Sequence, residues 1–555
     1  MPTDDPFASL IWARPTHEDA QSSGIQTQIK EWLERCLKKH RSCQNKVNLL
    51  PTRLIDVGNA DQEPFLFVSD GRVGKWIALS YCWGQSVPVK TEHANLDERQ
   101  TRICRSELPP LFKDAIDFTR SLGYQYLWID SLCIVQDSNN DWLNESANMG
   151  NIFKNSSLTL AAEASENTSI GLFESTSKSR RRLFEVSCHS KEHNLKGTLS
   201  LGRNNFSGPP FRGPLSSRAW TLQETTLARR IVRFAKGQIW WRCHLQECNE
   251  RDPDAFCSQR IPNNTMWQVG RAHYLLTKDH SYFNTPQLRS LLRRLWYFVV
   301  MDFTSRRISY ATDVLLAISG LAKEVQRHFP QQYISGLWLN DIHHDLLWRS
   351  PKKGAIIRNV YVAPSWSWAN IDFSASWKRN SLPNYPMFDF DLLGCKSCIR
   401  IAEVLEVTIV NIKNDPFGQV ESGNLRIRGP CQEVCSCHIP GYFFDCQPVY
   451  DPENNLDYER AELCKTMCEP YERNVEALHK RPCCKGPAVC HNPLLFLHIT
   501  TLAGGLPNKV RMEAHGLILT RRYEQENEFQ RVGRGVFLET VKTSEIWPFR
   551  TLNIV

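Results

Sequence analysis

No window of this chain approaches the roughly 20 consecutive apolar residues that a membrane-crossing helix needs. The opening stretch, MPTDDPFASLIWARPTHEDA, carries acids and no long apolar core, so a secretory signal is not expected there. Neither GxGxxG nor GxxxxGK[ST] occurs, which removes the signatures of a Rossmann dinucleotide fold and of a P-loop. There is no internal repeat. Charge of one sign is scarce too: 67 Lys and Arg face 59 Asp and Glu, a formal net charge of +8 over 555 residues. Such a balance argues against a nucleic-acid partner. The densest basic run, KSRRR at Lys178 to Arg182, sits among Ser and Thr and reads as a solvated loop. The expectation is a cytoplasmic protein with no membrane span, whose 20 cysteines are mostly reduced. Scattered ones such as Cys104 and Cys257 are then small buried hydrophobes.

What is present is the composition of a globular protein, 41% hydrophobic and 10% aromatic, in a chain too long for one core. Seventeen tryptophans recur in short contexts: YCWG, YLWID, RAW, IWWRC and SWSWAN. Residues 1–70 form an N-terminal helix and leader. Ile25 to Cys43 has a helical stripe at Ile29, Trp32, Leu33 and Leu37. Cys36, His40 and Cys43 share one side of it, three zinc ligands where a structural site wants four. The alternative is a helix face that packs onto the next domain.

Residues 71–242 alternate apolar strands with helical patterns. WIALSY ends at a Cys-Trp-Gly turn. LPPLFKDAIDFTRSLG is a helix with Pro near its start and Gly123 at its end. YLWID is a buried strand, DWLNESANMGNIFKNS an amphipathic helix, SLTLAA and RRIVRFA further strands. The alternation predicts an α/β fold, a parallel sheet with flanking helices, whose ligands sit beyond the carboxyl ends of the strands. A loop insertion over about 163–214 holds a hairpin of its own (LFEVSCH, GTLSLG). Residues 243–385 are a helical, Trp-rich region in which aromatic packing explains the tryptophans. Residues 386–430 and 492–555 form a C-terminal β-rich region. Between them, 431–491 is a Cys-rich insertion with nine cysteines; metal binding and a poorly ordered loop are both open there.

One acidic residue stands out. In SSRAWTLQETTLARR, the helical neighbours of Glu224 are Trp220, Thr221, Leu227 and Ala228, none of them cationic. Three explanations are open. Thr221-x-x-Glu224 matches a capping box; Arg229, Arg230 or Arg233 offers a buried ion pair; or the carboxylate is held for chemistry. Cys82 or Cys133 with His93 is a weaker nucleophile arrangement, against which stands the inert buried cysteine. Asp130 and Asp137, near a strand's carboxyl end, are candidates for ribose or metal binding or for fixing a loop.

WIALSYCWG, YLWIDSLCIVQD with DW and E after it, NIFKNSSLTLAA, GLF and RAWTLQE with IWWRC behind it resemble, in this order, the heterokaryon incompatibility (HET) domain of filamentous fungi. The WLERCLKKHRSC and PTRLIDVG leader, GLW with LLW, APSWSWA and FQRVGRGVF resemble the flanks of such proteins. Ile134-Val135-Gln136 departs where Asn is common before the Gln, and Phe153 stands where Tyr is common. The resemblance implies an effector in non-self recognition and programmed cell death, acting with copies of itself or another incompatibility protein.

The same unit is similar in order to a TIR domain, which implies a TIR/flavodoxin-like fold. The matching places are Ser80-Tyr81 at a strand end, Asp130 on the second strand, Trp142 and Glu145 on a helix, and Trp220 with Glu224. Ser217 lies three residues before Trp220 rather than two, and Arg218 takes the nearer place. The resemblance implies that Glu224 is a catalytic carboxylate of an NAD glycohydrolase, with NAD as substrate and no required cofactor. Ser80, Tyr81, Trp83, Gly84, Asp130 and Trp220 are then candidate substrate-binding residues. The alternative is a non-enzymatic module acting through TIR-like self-assembly or partner binding.

Overall fold

A computed structural model of the chain describes residues 5–10, 14–44, 47–59, 61–84, 89–180, 184–201, 213–254, 276, 285–350, 356–373, 386–388, 398–434, 443–444, 494–504, 511–521, 528–539 and 547–555. Contacts divide it into two units, 1–279 with 317–324 and 280–316 with 325–555. Apart from its first residues and 443–444, the Cys-rich insertion lies outside the described residues, as does Cys257. Among the described residues, no helix is long and apolar enough to cross a membrane.

The first unit opens with α1 (Ser23–Lys39), which buries Ile25, Ile29, Trp32, Leu33 and Cys36, a stripe at helical spacing. The helix is shorter than the expected span to Cys43: His40 already has extended backbone, and Cys43 closes a separate 3-10 turn. The leader then supplies β1 (Arg53–Asp56) and β2 (Phe65–Val68). β3 (Trp76–Ser80) is buried at every position, as a strand covered on both faces must be.

Crossover helices come next. α2 (Pro110–Ser121) has Pro at its first position, where the fixed φ suits a helix start, and the chain turns after it at Gly123 with φ 76°. It leads to β4 (Tyr126–Trp128). α3 (Asn139–Asn155), capped by the Ser138 hydroxyl, leads to β5 (Leu158–Ala161). The predicted hairpin pairs Phe184–Ser190 with Leu195–Leu201. After it come α4 (Thr221–Leu227), β6 (Arg230–Ala235), β7 (Gln238–Cys243) and β8 (Glu247–Asn249).

The eight strands are ordered β8-β7-β6-β5-β3-β4-β1-β2. β4, β3, β5 and β6 are parallel, as the helical crossovers require. β1 joins β4 antiparallel, and the tight turn at Gly237 folds β7 back antiparallel on β6. The expected parallel core is therefore the centre of a mixed sheet. Taken alone, the four parallel strands lie in the order second, first, third, fourth. The chain steps from β3 to one side and returns to the other, so the direction of winding reverses between β3 and β5. α3 meets the 317–324 segment closely: a Cβ on Gly150 would lie 2.8 Å from Gly320 Cα.

The second unit joins α5 (Pro286–Thr304) and the ends of α6 (Leu316–His328) to an eight-stranded sheet. Its strands include β9 (Glu403–Asn411), β10 (Val420–Val434), β11 (Leu494–Gly504), β12 (Arg511–Arg521), β13 (Glu528–Glu539) and β14 (Phe549–Ile554). Pairings run β11-β12-β13-β14-β10 and back to β11, closing a ring of five. The Trp-rich segments pack within this unit: Trp348 donates from Nε1 to Trp366 O at 3.0 Å, and Trp368 to Gly336 O at 3.0 Å. Gly336, at φ 97°, lies against the Trp368 ring, where a Cβ would come within 2.8 Å. Trp296 packs edge-on against Trp338 with ring centres 5.6 Å apart, and Trp348 against Phe373 at 6.4 Å.

Candidate functional site

The carboxyl ends of β3 and β5 gather residues from four distant sequence blocks. Ser80, the last residue of β3, donates from Oγ to Glu224 Oε2 at 2.5 Å. Both side chains are buried, Ser80 1% and Glu224 5% exposed. Every residue of α4 is buried, so Glu224 points into the unit rather than to water. Gln223, the residue before it, accepts from Gly320 N at 3.1 Å, which fixes the helix on its other side.

The capping-box explanation for Glu224 fails on geometry. The helix starts at Thr221 with Trp220 at the N-cap; a box would need Thr221 itself at the cap and Glu224 three places on. The Thr221 hydroxyl instead donates to Leu215 O at 2.8 Å and Arg218 O at 2.9 Å. Of the arginines considered as partners, Arg233 meets Glu163 at 3.2 Å, Arg230 donates to Ser157 O at 2.8 Å and Arg229 to Gln44 O at 2.9 Å.

Beside this pair lies a second cluster. Tyr81 donates its hydroxyl to Asp130 Oδ1 at 2.7 Å, and Trp83 donates Nε1 to Asp130 Oδ2 at 2.8 Å. Burial pushes the Asp130 carboxyl up, opposed by Tyr81, Arg218 and Trp83; burial and then the Asp130 charge push Tyr81 well up. Gly84 is exposed, with φ 84°, a backbone shape that favours glycine. Trp220 stacks edge-on against Trp142 with ring centres 6.4 Å apart. Ser80, Tyr81, Trp83 and Gly84 thus lie at this end of β3 and Trp220 on the turn into α4, while Asp130 opens a short helix, Asp130–Cys133, just after β4 rather than lying on the strand as expected.

Two further residues were not singled out from the sequence. Arg218 donates from Nη1 to Tyr81 O; the signal was its place two residues before Trp220, where it replaces the serine of the TIR pattern. Glu163, fully buried just after β5, accepts from Arg233 and from Gly213 N at 3.0 Å and Ser216 N at 3.2 Å. It anchors the chain where the insertion returns to the sheet ahead of α4. No periodicity marks it.

Other candidates separate from the site. Glu145 is buried and its carboxyl pushed up by burial, with Thr52 and Arg53 opposing. His93 and Asp137 pair with each other at 2.9 Å on an exposed loop, which makes Asp137 a loop-fixing residue. Burial raises the Cys82 thiol to about 11 and Cys133 to about 12, so neither supplies a ready thiolate. Cys36, His40 and Cys43 come together away from the strands' carboxyl ends, and Cys243, the last residue of β7, joins them.

Residues 76–224 match the family model described as Heterokaryon incompatibility protein (HET). The chain carries a HET domain. The match begins at the first residue of β3 and ends on Glu224 itself, so it encloses both clusters. No curated protein and no solved structure matches the chain.

Proposed function

We propose that the HET domain of this chain cleaves the bond between nicotinamide and ribose in NAD, with Glu224 as the catalytic carboxylate, as the death-effector step of fungal non-self recognition. The observation that carries the reading is the Ser80–Glu224 hydrogen bond at the carboxyl edge where β3 and β5 adjoin. The second, first, third, fourth order of the parallel strands agrees with the first four places of a flavodoxin-like order, in which ligands sit at this reversal point. That agrees with the TIR resemblance, in which the corresponding glutamate is catalytic.

The chemistry needs little beyond a placed carboxylate. Nicotinamide leaves as a neutral base with the bonding electron pair, and positive charge develops on the ribose. A carboxylate held beside it stabilises that charge. Water then forms the new bond at the anomeric carbon and loses one proton, giving ADP-ribose. The Ser80 hydroxyl orients the carboxylate; Trp83 and Trp220 offer aromatic faces to the bases.

The 5% exposure of Glu224 favours a second reading, a non-enzymatic module in which the Ser80–Glu224 bond locks α4 to the sheet and the surface binds a partner or another copy. Expression of wild type and Glu224→Gln in a fungal host, with cellular NAD and viability followed together, separates them. The enzyme reading expects NAD loss and death with wild type and neither with the variant. Death with unchanged NAD would sink it.

A further inference from the structure

We propose that Cys36, His40, Cys43 and Cys243 bind one structural zinc ion that ties the leader to the far strands of the HET sheet. The four ligand atoms all lie within 4.8 Å of one another, and all four residues are buried. Cys243 Sγ lies 3.4 Å from His40 Nδ1. Tetrahedral zinc with bonds of about 2.3 Å to sulfur and 2.0 Å to nitrogen places its ligands roughly 3.5–3.8 Å apart, so the cluster needs only a small contraction to close.

The donor set argues for zinc over other ions. Three thiols and an imidazole are soft and borderline ligands that suit zinc and leave no oxygen for calcium or magnesium. Four protein ligands fill a tetrahedron, so the site is closed and structural rather than catalytic. On binding, three S–H protons pass to solvent as three Zn–S bonds form; no oxidant is involved. Zinc with three thiolates and a neutral histidine has a net charge of −1. The fully buried Arg230 guanidinium, with Nε 3.3 Å from Cys36 Sγ, balances it. Its Nη1 is held by Ser157 O at 2.8 Å, so the cation belongs to the second layer of the site.

The placement gives the ion its role. Cys36 lies in the last turn of α1, His40 and Cys43 belong to the turn after it, and Cys243 ends β7. Both sides of the site fall outside residues 76–224. The ion would therefore fasten the end of α1 and its following turn to β7, a strand of the same sheet whose β3 carries Ser80, the partner of Glu224.

The test is metal content of the full chain, purified without chelator, by plasma mass spectrometry. Because the Cys-rich insertion brings further thiols, the reading is the difference between proteins: Cys243→Ser is expected to lose about one zinc equivalent per chain, and Cys133→Ser none. Cobalt exchanged into wild type should show the tetrahedral thiolate spectrum, with the Cys243-dependent part absent from Cys243→Ser. Cys243→His keeps four ligands and should restore the equivalent, which separates ligand loss from misfolding. Equal zinc in wild type and Cys243→Ser would overturn the proposal. So would a disulfide among Cys36, Cys43 and Cys243 in freshly isolated protein, mapped after alkylation.

Discussion

Two buried arginines, one in each unit, are held in different ways. In the first unit Arg233 meets the Glu163 carboxylate at 3.2 Å. In the second, Arg531 donates to Leu346 O and Trp348 O and lies 3.8 Å from the centre of the Trp348 ring, and Arg534 donates to Leu347 O at 3.1 Å. The arginines of FQRVGR thus close the backbone carbonyls of LLW, while Ser365 of APSWSW accepts from Arg531 N at 3.0 Å. Backbone pairing of this kind satisfies carbonyls that would otherwise be orphaned. The first unit brings Glu224, Asp130 and Glu163 to the carboxyl ends of its parallel strands.

The contrast between the units breaks most readily at its two arginines. Arg233→Met leaves Glu163 buried without this cation and should cost about 3–5 kcal/mol by denaturant unfolding. Because Glu163 also holds Gly213 and Ser216 ahead of α4, NAD cleavage should fall with it. Arg531→Met should cost about 3 kcal/mol through the carbonyls it releases, with cleavage by the folded protein unchanged. Loss of cleavage in both variants at a temperature where both remain folded would erase the distinction between the units.

Next in size is Gly150→Ala. Its Cβ would press on Gly320 Cα and approach Leu227 Cδ1 at 3.2 Å, so overpacking of about 1–3 kcal/mol is expected in thermal unfolding. A pH-dependent effect concerns the second unit's buried acid. Burial, and then the nearby Asp341, raise Asp345 to about 8. Tyr297 donates its hydroxyl to one carboxyl oxygen and Trp338 N donates to the other at 2.7 Å. Between the ordinary carboxylate value and about 8, the folded state holds a proton that the unfolded state lacks. Stability from this group is therefore complete at low pH and declines as pH rises towards 8, by at most about 1.4 kcal/mol per pH unit. Asp345→Asn should remove that slope; an unchanged slope would place the titration elsewhere.

Much of the first unit was legible in the sequence because strand and helix periods alternate there with Pro and Gly at their ends. β1 and the β7–β8 extension were less so. Their antiparallel pairing is set by tertiary neighbours and by a turn at Gly237 rather than by any period of their own. Glu224 was legible as an acid without a local cation, but its partner Ser80 is 144 residues away, and only the fold brings the two together. Cys36, His40 and Cys43 betray themselves by spacing. Cys243 does not, since the cysteine that completes the cluster arrives at the end of a strand distant in sequence. Glu163 carried no signal, being one acid at the start of a polar stretch.

Chemistry by the carboxylate at the β3–β5 edge is tested most directly by incubating the purified full chain with NAD and quantifying nicotinamide and ADP-ribose by chromatography, for wild type and for Glu224→Gln of matched thermal stability. Wild type should release the two products in equal amounts, and the variant should lose about 100-fold or more of that rate. Equal turnover by the two proteins, or none by a folded wild type, would contradict a catalytic Glu224.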